Sequence, residues 1–279
     1  MMSVLDPHPD LLQALSGEMT PKFLATRSAE GVPNVVPCTS IMPARDDSAG
    51  GDRLIFGNFL LRKSVPNLDA DPRVGILVIT TRLEGWILRG DFVGWQRTGE
   101  YVDRLNSTEL LRYNAYTGIR NAGVVEVRQV QRQFRLPMMR VLGDYLAARA
   151  ACLLNRPAPP SDGATALPRI VRDSFRPISA LRVLAFLDGE GYPLAVPALS
   201  LQPSGDHCLG CALGPLADLF SPLTSGAPVA ASLLTQQIVS FQVKGRWLGH
   251  RHLLGRPLGA LSVDAVYAGG PPIPGRQIA

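Results

Sequence analysis

The chain contains an echo of itself. Residues 30–37 read EGVPNVVP and residues 190–197 read EGYPLAVP, 160 positions later. Residues 74–95 then align without a gap on residues 229–250 at an offset of 155. In that alignment Thr80 meets Thr235, Trp86 meets Phe241, Arg89 meets Lys244, Gly90 meets Gly245, Phe92 meets Trp247 and Gly94 meets Gly249. The five-residue difference falls between the two matches, where residues 44–52 (ARDDSAGGD) read as a long turn and residues 203–206 (PSGD) as a short one. Hairpin tips absorb such differences at little cost. Two matched segments in the same order predict a duplicated domain, and that limits the possible folds more than any composition does.

Each copy reads mostly as strands. Residues 23–27, 34–41, 53–57, 74–81, 85–92 and 124–130 are rich in β-branched residues or alternate in polarity, and Gly-containing turns separate several of them. The second copy mirrors them over residues 181–187, 194–201, 207–211, 229–234, 240–247 and 260–267. Short antiparallel strands in this number suit a small barrel, which removes exposed edges by closing. The expected class is mainly β with flanking helices (α+β).

Helices fill the gaps. Asn106 followed by Glu109 resembles a capping box opening a helix over 107–115. Over 138–154, Met138, Val141, Leu142, Tyr145, Leu146 and Leu153 share one helical face, which predicts the buried side of a helix bridging the two copies. Residues 155–168 (NRPAPPSDGATALP) have the composition of a connector. The expected organisation is a first barrel over 1–137, a helix and Pro-rich connector over 138–168, and a second barrel over 169–279.

Composition excludes several alternatives. With 279 residues, 46% of them apolar and 18% charged, the chain can build real cores and is not generally disordered. No apolar run is long enough to cross a bilayer, and no basic segment followed by an apolar one begins the sequence. A cytoplasmic protein without membrane partners is the expectation. The formal charge is +5, from 28 bases and 23 acids, and three bases are lysines: Lys22, Lys63 and Lys244. Arg128, Arg132, Arg135 and Arg140 form a short cationic run that reads as a solvated face, so no nucleic-acid partner is expected. Four cysteines in a chain of this length do not make a secreted disulfide framework.

The strongest chemical signal follows the third strand. Leu61, Val65 and Leu68 have helical spacing, Ser64 is a candidate cap, and Arg62-Lys63 stands at the helix start. Unpaired amides and two adjacent cations suit a phosphate group. The same spacing also describes an ordinary solvated surface.

The order of hairpin, strand with basic helix start, and Gly-closed strand (ILRGDFVGW) resembles the pyridoxamine-5'-phosphate-oxidase-like split-barrel family of flavin proteins. The likeness covers about residues 20–132 and, more faintly, 181–275. It implies two tandem split β-barrels forming an intramolecular pseudo-dimer, with FMN held between them; some relatives use F420 or haem instead. It maps the family's phosphate motif onto Arg62, Lys63 and Ser64, with Asn67 nearby. It sets the flavin ring against Cys38, Thr39, Ser40, Phe56, Gly57 and Asn58, with Thr80 and Thr81 on the next strand. The implied activity is FMN-dependent oxidoreduction of a small substrate or redox partner, with NAD(P)H a candidate donor. The expected assembly is a monomer with an internal pseudo-dimer, further homodimerisation being open. The C-terminal GGPPIPGRQIA lacks the Arg-rich tail that vitamin B6 oxidation would call for.

The two copies are unequal. At the 155 offset, Arg62, Lys63 and Ser64 correspond to Ala217, Asp218 and Leu219. An aspartate repels a phosphate, so one flavin site per chain is expected, with the facing wall supplied by Trp247 or residues near Lys244.

Other features have plainer readings. Cys208 and Cys211 form a C-x-x-C, but on a strand positions three apart face opposite sides, so small buried residues are expected and no metal. Gly90 and Gly245 are either flavin-approach glycines or barrel bulges. No Gly-x-Ser-x-Gly elbow, P-loop or His-Glu-x-x-His occurs. Two function classes remain: a flavin enzyme, or a non-enzymatic flavin, F420 or haem binding protein acting as sensor or carrier.

Overall fold

The computed structural model describes residues 3–44, 52–108, 118–154, 165–253, 255–270 and 273–279. Two antiparallel sheets carry the fold, one in each half of the chain. The first contains β1 (Lys22–Arg27), β2 (Pro33–Pro37), β3 (Met42–Pro43), β4 (Arg53–Gly57), β5 (Arg73–Ile79), β6 (Glu84–Gln96) and β7 (Ala122–Arg135), in the order β2-β1-β5-β6-β7-β4-β3. The second contains β8 (Leu181–Leu187), β9 (Pro193–Pro197), β10 (Gln202–Pro203), β11 (Cys208–Ala212), β12 (Pro228–Leu234), β13 (Ser240–Leu253) and β14 (Arg256–Ser262), with β15 (Ala265–Ala268) added alongside β13. Its order, β9-β8-β12-β13-β14-β11-β10, repeats the first strand for strand.

The repetition extends to register. Phe23 pairs with Pro37 as Val183 pairs with Pro197, and Arg73 pairs with Asp91 as Pro228 pairs with Arg246. The turns repeat too. Thr80 accepts a hydrogen bond from the Glu84 amide as Thr235 accepts one from the Val239 amide, with Leu83 and Ile238 both at positive φ. Even a buried cation recurs: Lys22 Nζ donates to the carbonyls of Gly17 and Thr39, and Arg182 donates to those of Pro177 and Leu199, 160 positions on.

Strand alternation decides how the halves meet. On β1, Leu24 faces the core of its own sheet with Ile76 and Val78, while Phe23 and Ala25 join Leu77 and Ile79 in a core shared with Val183, Ala195 and Val243. Both faces of β1 are therefore buried, as for a strand between two layers. β2 packs on β12 and β13, and β5 packs on β9. Gln242 donates to the Val35 carbonyl across this seam at 2.7 Å, and both residues are buried. The β8–β9 turn is clamped to the first half by bonds from Arg27 to the Gly191 carbonyl, from Arg73 to the Glu190 carbonyl and from Tyr192 to Asp91.

At Gly75 the two backbones nearly touch, since a Cβ there would lie 2.0 Å from the Pro193 carbonyl oxygen. Gly75→Ala is therefore expected to lower stability by about 1–3 kcal/mol in urea unfolding, as overpacking does. A change within about 0.5 kcal/mol would mean that the seam yields freely.

The helices are α1 (Pro9–Ser16), α2 (Ser64–Ala70), α3 (Glu100–Asn106), α4 (Met138–Leu154) and α5 (Arg169–Ser174), with 3-10 turns over Gly214–Phe220. Two of them depart from the sequence reading. Asn106 ends α3 instead of capping a new helix: its amide donates to the Val102 and Ile119 carbonyls. The expected 107–115 helix falls largely outside the described residues. α4 packs on β10, β11 and the 3-10 turns of the second half, not between the halves. It buries Asp144, Tyr145, Ala148 and Cys152, leaving Met138 63%, Leu146 55% and Leu153 67% exposed. Small side chains let the helix come close to Gly210, and Arg140 and Arg256 neutralise the buried Asp144. Of the apolar stripe read as the buried face, Tyr145 is buried and Val141 packs against the core, while Met138, Leu142, Leu146 and Leu153 point to solvent.

Residues 155–164 of the expected connector lie outside the described residues. Beyond them, Thr165 and Leu167 are already bonded to Val263 and Asp206 of the second half. Among the described residues, no helix is long and apolar enough to cross a membrane.

Candidate anion-binding seam

β4 leads into α2 through a tight loop in which Leu60 adopts φ 61° and Leu61 is buried in the first core. A non-glycine residue in this region stores strain, and here the strain lies two residues before Arg62. Leu68 anchors α2 from below. A polar pin fixes its near end. Asn34 donates to the fully buried Ser64 hydroxyl at 3.1 Å, and Asn67 donates to Thr26 Oγ1 at 3.1 Å. Ser64 is therefore a packing and positioning residue inside the protein, not a cap open to a ligand.

The pin holds Lys63, the residue before α2, against the second half. Its ammonium lies directly over the ring of Tyr267 on β15. Burial, followed by the positive charge of Lys244 on β13, pushes the Lys63 amine down to about 7. Lys244 is also lowered, by burial, and Tyr267 is raised by burial and stays a phenol. No ion pair among the described residues involves either lysine. The C-terminal segment closes one side: Gly275 donates to the Ala268 carbonyl at 2.7 Å and sits against Arg62, with Arg276 following it. Two desolvated like charges without a counter-ion are costly, and an anion between them removes the cost.

The counterpart location in the other half is sealed by carboxylates. Arg89 stands where Lys244 does, and it pairs with Asp188 at 3.0 Å and Glu190 at 2.8 Å. Ser28 occupies the position equivalent to Asp188, so the Lys244 side lacks that carboxylate. Asp218, at the position of Lys63, pairs with Arg132 of the first half. The inequality visible in the sequence is thus a difference between filled and unfilled charge.

Of the site residues expected from the sequence, Arg62, Lys63, Ser64 and Asn67 come together, and the second half meets them through Tyr267, with the Lys244 charge acting on Lys63. The rest lie elsewhere. Cys38, Thr39 and Ser40 gather around Lys22, about 13 Å along β1 from Thr26. There Ser40 accepts the Gly57 amide at 3.0 Å, and burial raises the Cys38 thiol to about 11. Phe56 is fully buried against Phe92 and Trp95. Gly57 is packed on Ile119, and the Asn58 amide donates to the Asn121 carbonyl. Thr80 serves the β5–β6 turn, and Thr81 is exposed on that turn.

Trp247 does not form the facing wall: it is fully buried, stacked on Phe220 in the second core. Gly90 and Gly245 each meet a neighbouring strand's backbone, a Cβ at Gly245 falling 1.7 Å from the Ser262 carbonyl oxygen, and at Gly90 the strand register also shifts, as in a bulge. Cys208 and Cys211 are buried with thiols raised by burial, and the described residues hold no cluster of three metal-ligating side chains. Sequence reasoning missed Tyr267, Thr26, Asn34 and the C-terminal segment. The Lys63–Lys244 pairing had one signal, since these are two of the chain's three lysines.

No protein-family model matches the sequence, and a comparison with curated proteins returns no match. The fold is similar over part of its length to several solved structures. An FMN-binding protein from Syntrophomonas wolfei shares 18% identity, with 48% of this chain and 88% of that one covered, at a TM-score of 0.38. An F420 reductase shares 23%, covering 41% and 90%, at 0.31. HutZ, a heme storage protein from Vibrio cholerae, shares 14%, covering 48% and 92%, at 0.33.

Proposed function

We propose that the seam holds the phosphate of FMN and that the protein is a flavin-linked oxidoreductase with one cofactor per chain. One observation carries this reading: Lys63 of the first half lies over Tyr267 of the second within reach of the Lys244 charge, and neither lysine has an ion-pair partner among the described residues, while the counterpart location pairs Arg89 and Arg132 with Asp188, Glu190 and Asp218. A dianionic phosphate supplies the missing charge, and the exposed Arg62 adds a third contact from the solvent side. Asn34, Thr26 and Asn67 keep α2 in place, so the cations are positioned before the ligand arrives. FMN, when bound, supplies the hydride or electron chemistry. The chain orients the cofactor by its phosphate and shields that end from water at the seam. The ring is not assigned to Phe56, which no ligand reaches without unpacking the first core.

Both halves are needed for this site, and a single chain carrying both keeps them at high effective concentration. The shared strand order and register support an origin by duplication, with the second copy's bases replaced by acid. A flavin carrier or sensor would use the same anchor, and turnover separates the two readings. Adding NADH or NADPH to the FMN-loaded protein is expected to bleach the flavin absorbance, with recovery on adding an acceptor. Bound flavin that no donor reduces would establish the carrier instead.

A further inference from the structure

We propose that the second half carries a separate binding site for a fatty carboxylate, with the alkyl chain in a slot beside α4 and the anionic head at Arg251. The proposal is independent of the seam and of what the seam binds.

Strand equivalence locates the slot. Ile55 of β4 pairs with Val124 of β7, and Gly210 of β11 pairs with Ala260 of β14 in the same place of the second sheet. In the first half this face is filled, Ile55 and Val124 packing with Tyr101, Val102 and Leu105 of α3. In the second half a hydrogen and a methyl group replace those two aliphatic side chains. Gly210 lets α4 come close, a Cβ there falling 2.9 Å from Cys152 Sγ. The helix lies mainly over β10 and β11, however, and the sheet runs on past it through β14 to the end of β13. Between them stands a cavity of about 90 Å³, lined by Ala148, Ala151 and Cys152 of α4 and by Leu253, Leu258 and Ala260 of the sheet. Packed interiors leave few voids wider than a water molecule, and apolar ones stay dry.

Size and charge select the occupant. An apolar cavity of about 150 Å³ takes benzene. This one is smaller, and an unbranched alkyl chain fits where a ring does not. Its polar side chains include Arg251 and His252 of β13, both exposed, and Arg251 stands opposite Leu258 on the cavity face. No carboxylate lines the cavity, and Arg251 has no ion-pair partner among the described residues. Burial raises the thiols of Cys152 and Cys211, the latter to about 12, so the wall carries no thiolate. A carboxylate at the mouth meets a guanidinium while its chain removes apolar wall from water. An alcohol of the same length gains the second term alone, and an amine meets like charge.

Octanoate is the probe, used below its micelle concentration, with octanol and octylamine for comparison. Calorimetric titration of the full chain is expected to show one octanoate per chain, octanol about two- to fivefold weaker, and octylamine weaker still. Arg251→Gln should lower octanoate to the level of octanol and leave octanol unchanged. Ala151→Leu should fill the slot, abolishing the binding of both while holding or raising the melting temperature. Lys63→Ala should bind octanoate as the parent does, which separates the slot from the seam. Undiminished binding in Ala151→Leu would overturn the slot, and loss of binding in Lys63→Ala would move the ligand to the seam. Equal affinities for octanoate and octanol in the parent would overturn the anionic head. Bound octanoate should also slow the alkylation of Cys152 by N-ethylmaleimide, which reports occupancy without any substitution, and an unchanged rate would count against the slot. No binding of octanoate or octanol would overturn the site altogether and leave the FMN reading untouched.

Discussion

Lys63→Ala is expected to weaken FMN binding about 10- to 150-fold, the loss of one charge-assisted contact worth about 1.5–3 kcal/mol. Lys244→Ala should act in the same direction by a similar factor, although the two residues lie in different halves of the chain, one before α2 and one on β13. The pair shares one ligand, so the double variant is not expected to show the sum. Asp218→Ala, which alters only the sealed counterpart location, should leave FMN affinity within about twofold of the parent. A structural role for Lys244 predicts a different pattern. Because its ammonium is desolvated without a partner, Lys244→Met should raise the melting temperature of the ligand-free protein while lowering FMN affinity. A fall in both would mark Lys244 as a packing residue.

Arg182→Met should be the most damaging single change to the fold. The side chain is fully buried, and its guanidinium donates to the carbonyls of Phe175, Pro177, Ala180 and Leu199. Burial lowers it to about 10, so it remains charged at neutral pH. Methionine fills much of the volume but leaves several buried acceptors unpaired, each costing about 1–3 kcal/mol. A total loss of about 3–5 kcal/mol is expected in urea unfolding. Arg182→Lys should recover part of it, since Lys22 does the same work with two carbonyls in the first half. A loss below about 1 kcal/mol for the methionine variant would mean that water replaces the guanidinium.

What the sequence revealed was local and periodic. The hairpins carry their own turn residues, such as Gly31 and Gly191 at φ 79° and 80°, so two separate copies of one pattern were visible in the letters. The basic helix start was legible because Leu61, Val65 and Leu68 set its phase. α4 was misread in part because large apolar residues usually mark the buried face, whereas this helix docks through Ala148, Cys152 and a neutralised aspartate beside Tyr145, the one fully packed member of the expected stripe. The residues assigned to the ring by resemblance dispersed for a similar reason. Phe56 and Gly57 alternate into packed interiors, and Thr80 is spent on a turn that Thr235 repeats. Tyr267 and Gly275 carry no motif. They reach Lys63 and Arg62 only because β15 and the chain end fold back over the seam, a long-range event without a local sign.

Lys63 and Lys244 lack a counter-ion among the described residues, and the proposed site depends on that. Its most direct test is an equilibrium titration of the purified chain with FMN, followed by flavin fluorescence and repeated for Lys63→Ala. Saturation at one FMN per chain is expected, with the binding curve shifted to much higher concentration in the variant. Two FMN per chain, or the same curve for both proteins, would contradict it.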